Sequence, residues 1–203
     1  MDISIIIVNY NTAQITKNCL DSIFKVTKDV NFEVIVVDNA STDNSYNILS
    51  TYPGIKFIAS KINLGFGKAN NLGYQYTTGK YILFLNSDTI LENNAIKLFY
   101  DSFNEQHENV ACIGSWLLAP NGSINNSYGD IPSLKQMCMS TLNLYLHLFI
   151  SSKRLKAKKD ANINTNQTLQ VGYIIGADLC IRRTVIEQLG LFDPDFFMYY
   201  EES

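Results

Sequence analysis

The stretch Tyr81-Ile-Leu-Phe-Leu-Asn-Ser-Asp-Thr89 limits the possible folds more than any other part of the chain. Tyr81 to Leu85 is apolar at every position, so neither face tolerates water. That suits a strand covered by helices on both sides of a parallel sheet. The run stops at Asn86-Ser87-Asp88. A carboxylate at the carboxyl end of a buried strand stands where open α/β sheets bind ligands, because the strand holds it while the crevice above stays open. Asp88 is therefore the first candidate site residue. Asn86 to Thr89 equally suit a plain turn or a helix N-cap.

The preceding residues repeat the pattern. Ile3 to Val8 is β-branched and bounded by Asn9-Tyr10-Asn11-Thr12, which predicts a buried strand feeding a loop. Thr12 or Asn11 can cap a following helix whose apolar stripe is Leu20, Ile23 and Phe24. A second strand, Phe32 to Val37, runs into the polar loop Asp38-Asn39-Ala-Ser-Thr-Asp-Asn-Ser45 and a helix from Tyr46 to Leu49. A third, Ile55 to Ala59, follows Pro53-Gly54. Strand, helix and strand with short connections imply right-handed βαβ units in a mostly parallel, Rossmann-like sheet flanked by helices.

The first two strands end alike, in Asn9-Tyr10-Asn11 and Asp38-Asn39. Asp38 suits a base N–H or a ribose hydroxyl, and Tyr10 suits stacking on a base. Helix capping is the plainer role for Asp38, although Asp43 or Ser41 serves it as well. Next comes Lys61-Ile-Asn63-Leu-Gly65-Phe-Gly67-Lys68-Ala-Asn70-Asn-Leu-Gly73. Gly65 and Gly67 let backbone approach a phosphate, Lys68 can neutralise it, and a helix from Ala69 to Tyr76 would turn its N-terminus to the ligand. Asn70 stands where the dinucleotide fingerprint has its third glycine, so that fingerprint is absent. A flexible loop leading into a helix also fits.

A length of 203 residues suits one domain, and a net charge of −3 gives no footprint for nucleic acid. The four cysteines, Cys19, Cys112, Cys138 and Cys180, are dispersed in apolar settings with no C-x-x-C pair. They read as buried reduced thiols of a cytoplasmic protein. The start carries Asp2 where a signal peptide carries basic residues, so neither signal nor membrane span is expected there.

Together, Ile5-Ile-Ile-Val-Asn-Tyr-Asn11, Val36-Val-Asp-Asn-Ala-Ser-Thr-Asp-Asn-Ser45, Asn63-Leu-Gly-Phe-Gly-Lys-Ala-Asn-Asn-Leu-Gly73 and Leu83-Phe-Leu-Asn-Ser-Asp88 resemble the family 2 inverting glycosyltransferases of GT-A fold, particularly the rhamnosyltransferase-like branch. Gly176-Ala-Asp-Leu-Cys-Ile-Arg-Arg183 and the segment from Gly190 to Glu202 extend the resemblance over essentially the whole chain. It implies a single domain over 1–203, with a nucleotide-binding half (1–100) and a partly antiparallel acceptor-side half (101–203). It also implies a dTDP- or UDP-sugar donor and a saccharide or lipid-linked saccharide acceptor. Asn9, Tyr10, Asn11, Asp38, Asn39, Asn63, Gly65, Lys68, Asn70, Asn86 and Ser87 are then donor-binding positions. Asp88 holds a divalent cation, Mn2+ or Mg2+, with Asn86 in place of the family's first Asp. The family's Glu-Asp pair falls on Glu201 and Glu202, either of which then serves as base. Family members continue past this point, so Ser203 is expected to cut the acceptor side short.

The second half is less regular. Ala95 to Phe103 predicts a helix, Val110 to Leu118 a strand carrying Trp116, and Ala119-Pro-Asn-Gly-Ser123 a hairpin turn. Leu134 to Ile150 followed by the basic cluster of 153–159 fits either an interfacial helix on the inner face of an anionic membrane or a core helix with a basic loop. Val171 to Ile175 predicts a strand and Thr184 to Leu189 a helix. Arg182 and Arg183 suit a phosphate or a helix surface. The aromatic rings from Phe192 to Tyr200 suit a sugar-binding wall or a core seam. A nucleotidyltransferase and a non-catalytic nucleotide-sugar binder are the alternative functions. The first should carry a Gly-rich basic turn where Asn9-Tyr10-Asn11 stands, and the second needs no base.

Overall fold

A computed structural model describes residues 1–106, 110–125, 127–129, 131 and 168–197. The predicted α/β architecture is present. Strands β1 (Ile3–Asn9), β2 (Phe32–Asp38), β3 (Ile55–Ala59) and β4 (Tyr81–Asn86) join β5 (Cys112–Ile113) and a later strand, β8 (Asp178–Arg182), in a sheet of order β3-β2-β1-β4-β8-β5. The first four pair in parallel, with Ile5 opposite both Val34 and Leu83. Both pairings of β8 are antiparallel. The chain steps from β1 through β2 to β3, then crosses to the other side of β1 to form β4. The strand order therefore reverses between β1 and β4, and crevices open above such a switch point.

Helices α1 (Ala13–Val26), α2 (Ser45–Leu49) and α4 (Ala95–Glu105) supply Cys19, Leu20, Ile23, Leu49, Ile96, Phe99 and Phe103 to one face of the sheet. They bury Ile3, Ile5, Ile7, Val34, Val36, Leu83 and Leu85. Helices α3 (Phe66–Tyr74) and α5 (Arg183–Leu189) lie on the other face, over Ile6, Ile35, Val37, Ile82 and Phe84. Both faces of β1, β2 and β4 are thus dry, which is why their sequences do not alternate. Gly73 lets α3 lie close to the sheet, since a Cβ there would come 2.7 Å from Ile6 Cγ2 and 3.1 Å from Val37 Cγ2. Filling that contact would cost about 1–3 kcal/mol.

The chain divides into two compact units, one formed by Met1–Ser115 with Ile175–Ser203 and the other by Trp116–Ile174. Within the second, β6 (Tyr128–Gly129) pairs antiparallel with β7 (Tyr173–Ile174). The expected hairpin turn forms there too. The Gly122 N–H donates to the Ala119 carbonyl at 2.8 Å, and a bridge joins Leu118 to Ile124.

Several expectations need correction. Helix α3 begins at Phe66, three residues before Ala69, because Gly65 at φ 80° turns the chain directly into the first helical residue. The strand predicted over 110–118 shrinks to Cys112–Ile113, as only this pair finds a partner, on β8. The strand expected at 171–175 shrinks to Tyr173–Ile174, and β8 is a strand over residues to which the sequence pattern assigned no element. Cys112 is exposed, whereas Cys19 and Cys180 are buried. Arg182 pairs with Tyr81, at the start of β4 and so at the edge opposite Asn86. Its guanidinium donates to the carbonyls of Val110 and Phe103, while that of Arg183 donates to Gly79 and Thr77. These arginines seal backbone at the far edge of the sheet. Cys138, the segment 134–159, Tyr199, Tyr200, Glu201 and Glu202 lie outside the described residues. Among the described residues no helix is long and apolar enough to cross a membrane.

Candidate active site

A cleft of about 380 Å³ opens above the carboxyl ends of β1, β2 and β4. Tyr10 follows β1, Asn39 follows β2, and Asn86, Ser87 and Asp88 end β4, so each strand carries polar atoms to the rim. Asn63, Gly65 and Phe66 form the wall where the loop before α3 returns, and Val8, Thr12 and Ile15 complete it. Tyr10 is 46% exposed, leaving its ring face available for stacking.

The rim is held by a network of short polar side chains. Asn9 is fully buried and all its amide atoms are used. Nδ2 donates to Asp38 Oδ1 at 2.7 Å and to Ser41 Oγ at 3.1 Å, while Oδ1 accepts from the hydroxyls of Thr12 and Thr16. Thr12 therefore spends its hydroxyl on Asn9 and makes no side-chain cap on α1. Asp38 is 3% exposed, and its second oxygen accepts from the Ser41 N–H at 3.3 Å. Asn11, at φ 54°, accepts from the Thr42 and Asp43 N–H groups and so clamps the loop after β2. Asn39 ties the opposite loop, donating to Asn63 Oδ1 at 2.9 Å and accepting from the Leu64 N–H at 2.8 Å. Asn63 Oδ1 also accepts from the Gly65 N–H.

Of the expected donor-binding residues, Tyr10, Asn39, Asn63, Gly65, Asn86 and Ser87 meet at this cleft, together with Asp88. Asn9, Asn11 and Asp38 stand behind it as supports. Lys68 is exposed on α3 and does not line the cleft, and Asn70 is buried and bonded within its own helix to the Phe66 carbonyl. In the first turn of α3 the Phe66 N–H is not free for a phosphate, since it donates to the Phe197 carbonyl at 3.0 Å. Residue spacing could not reveal this, because the partner comes from far along the chain.

The end of β4 is fastened from both sides. The Asn86 N–H donates to the Ala177 carbonyl at 2.9 Å, and the Asn86 carbonyl accepts from the Thr89 N–H and, at 3.8 Å, from Cys19 Sγ. Burial pushes the Cys19 thiol up to about 12, and the nearby Asp88 charge adds to the rise. That thiol stays protonated and is no nucleophile. Asp178, opposite Leu85, is the carboxylate that sequence reasoning missed. It is 3% exposed, Oδ2 accepts from the Ser115 N–H at 2.9 Å and from the Ser115 hydroxyl, and Oδ1 is buried without a partner. A lone acid between Ala177 and Leu179 was the available signal.

Asp88 is exposed at the cleft, which Asn86 and Ser87, with an amide oxygen and a hydroxyl in their side chains, also line. These are hard oxygen donors of the kind that suit Mg2+ or Mn2+ when a substrate supplies further oxygens. Among the described residues no group of three or more His, Cys, Asp or Glu side chains forms a self-sufficient metal cage. The set fits a cation shared with a ligand.

Residues 4–189 match the family described as "Glycosyl transferase family 2". Glycosyltransferase GlyG of Streptococcus pneumoniae is 31% identical over 118 residues, 56% of this chain and 38% of that protein. The low-salt glycan biosynthesis hexosyltransferase Agl10 of Haloferax volcanii is 28% identical over 99% of this chain and 59% of its own length. The chain thus spans less than two thirds of either relative. Among solved structures, the mannosyltransferase PcManGT from Pyrobaculum calidifontis, in complex with GDP-Man and Mn2+, superimposes with a TM-score of 0.61 at 16% identity, covering 95% of this chain and 48% of that one. The architecture is therefore GT-A-like, and with nearly the whole length matched, the chain belongs to glycosyl transferase family 2.

Proposed function

We propose that this chain carries the donor-binding part of an inverting glycosyltransferase of the rhamnosyltransferase-like branch. It takes a dTDP- or UDP-linked hexose and glycosylates a hydroxyl of a growing saccharide, free or lipid-linked. One observation carries the reading: Tyr10, Asn39 and Asp88 converge on one cleft at the switch point between β1 and β4. The hexosyltransferase Agl10, similar over almost the whole chain, supports a hexose as the transferred group.

In this reading Tyr10 stacks on the base, and the loop held by Asn39 and Asn63 contacts the ribose and diphosphate. Asp88, assisted by Asn86 and Ser87, holds Mn2+ or Mg2+. When bound, that cation supplies charge neutralisation for the departing diphosphate. The acceptor oxygen forms a bond to the anomeric carbon as the bond from that carbon to the phosphate oxygen breaks. Glu202 or Glu201 takes the hydroxyl proton on the opposite face, and the nucleoside diphosphate leaves with the bonding pair. Inversion follows from the single displacement.

Donor hydrolysis by the full-length protein, measured with UDP-glucose and dTDP-rhamnose in the presence of Mn2+, tests the reading. Turnover that Asp88→Ala abolishes supports it. Tight nucleotide binding with no turnover in any donor would leave a binding module instead.

A further inference from the structure

The walls of the cleft differ in chemistry. Asn86, Ser87 and Asp88 make the end of β4 polar, whereas the wall built by β1 and the start of α1 consists of Val8, Tyr10, Thr12 and Ile15. The Thr12 hydroxyl is turned inward, donating to Asn9 Oδ1 at 3.1 Å and lying 3.4 Å from the hydroxyl of the buried Thr16. What Thr12 has left for a ligand is its methyl. Apart from the Tyr10 phenol, the side chains of this wall therefore have only carbon to offer.

Ile15 is the member of this wall that the fold does not ask for. Helix α1 buries Ala13, Thr16, Cys19, Leu20 and Ile23, and Ile15 lies off that stripe, 47% exposed, with Gln14 and Asn18 as its exposed neighbours in the helix. A β-branched side chain brings a helix no advantage at such a position. A single exposed isoleucine is ordinary on a protein surface, but this one lines a cleft beside a threonine methyl and a tyrosine ring.

A pyrimidine stacked on Tyr10 has two unlike edges. O2, N3 and O4 are polar, while C5 and C6 carry only hydrogen in uracil and C5 carries a methyl in thymine. An apolar corner accepts the C5–C6 edge, because turning the other edge to it would strip water from polar atoms and give them no partner in return. A methyl at C5 then buries further apolar surface against Ile15.

We propose that Ile15 and the Thr12 methyl form a seat for the 5-methyl group of thymine, so that the cleft takes thymidine diphosphate donors in preference to uridine diphosphate donors, with Ile15 as the specificity-determining residue. The inference rests on the donor reading, with the base on Tyr10, and narrows it to one nucleotide class.

The test measures binding of UDP, 5-methyl-UDP, dUDP and dTDP to the full-length protein by calorimetry in the presence of Mn2+. The gain from the methyl is read twice, as dTDP against dUDP and as 5-methyl-UDP against UDP, so the ribose 2′-hydroxyl cancels. In the wild type each comparison should favour the methylated base by about three- to fivefold, as burial of one methyl-sized group gives. Ile15→Ala should cut that gain to below about 1.5-fold, whatever it does to affinity overall. Ile15→Gln, polar at an exposed helical site, should do the same and guards against a folding defect in the first variant. A wild type that binds all the nucleotides equally overturns the inference and leaves the donor reading standing. A methyl gain that survives in both variants overturns it as well, since the methyl then sits elsewhere. So does a loss common to all the nucleotides with the gain intact, which marks a merely structural residue. Failure of a folded wild type to bind any of them sinks the donor reading, and the thymine seat with it.

Discussion

The side-chain amide of Asn9 donates to the Asp38 carboxylate at 2.7 Å, joining the ends of β1 and β2 directly behind the cleft. Both residues are buried, so the bond is shielded from water. Asn9→Ala would leave a buried carboxylate oxygen without that donor and two threonine hydroxyls without an acceptor. The expected loss is about 2–4 kcal/mol, from roughly 1–3 for the stranded carboxylate and the remainder for the hydroxyls. Urea unfolding measures it, and a loss below about 0.5 kcal/mol, the range of neutral surface changes, would show that the network is not a support.

Asn86 stands at the cleft with its backbone held on both sides, so a new side chain there inherits a fixed position. Asn86→Asp adds a second carboxylate beside Asp88. Mn2+ affinity in the presence of UDP should rise by about tenfold, equivalent to ~1.4 kcal/mol. Calorimetric titration reads the change, and a weaker or equal affinity would place the cation away from the end of β4.

Glu33 lies among Ser4, Lys56 and Thr78, accepting from the Ser4 hydroxyl at 2.7 Å, the Thr78 N–H at 2.6 Å and Lys56 Nζ at 2.7 Å. Burial raises its carboxyl, but these donors outweigh burial and hold it at about 2, well under the ordinary value of 4.5. A depressed acid stabilises the fold above its unfolded value and loses that contribution as pH falls through the folded one. Stability should therefore drop between about pH 4.5 and 2, and Glu33→Gln should flatten that limb. Identical urea midpoints against pH for the two proteins would refute the assignment.

Asp178 behaves in the opposite sense. Burial lifts its carboxyl to about 6, with the Ser115 bonds opposing the rise. A raised acid favours the folded state below its unfolded value, near 3.8, and that contribution is lost as pH climbs through the folded one. Between about pH 4 and 6 the wild type should thus lose stability that Asp178→Asn does not. The variant keeps an oxygen for Ser115 and carries no charge. If its stability profile over this window overlays that of the wild type, Asp178 does not titrate there.

Residue pattern alone determined the parallel half of this protein. The apolar runs of β1, β2 and β4, broken only by Ser4 and Glu33, each end in Asn or Asp, and covering both faces of a strand with helices dries such runs. The positions of Tyr10, Asn39 and Asp88 followed, because a polar residue just after a buried strand has nowhere to go but the sheet edge. Partnership between distant segments was decided only in three dimensions. Strand β8 pairs with β4 as its second neighbour, Asn9 and Asp38 satisfy each other, and the Phe197 carbonyl takes the N–H of the first residue of α3. A hydrogen bond depends on which groups meet, and a single chain read in order does not carry that information.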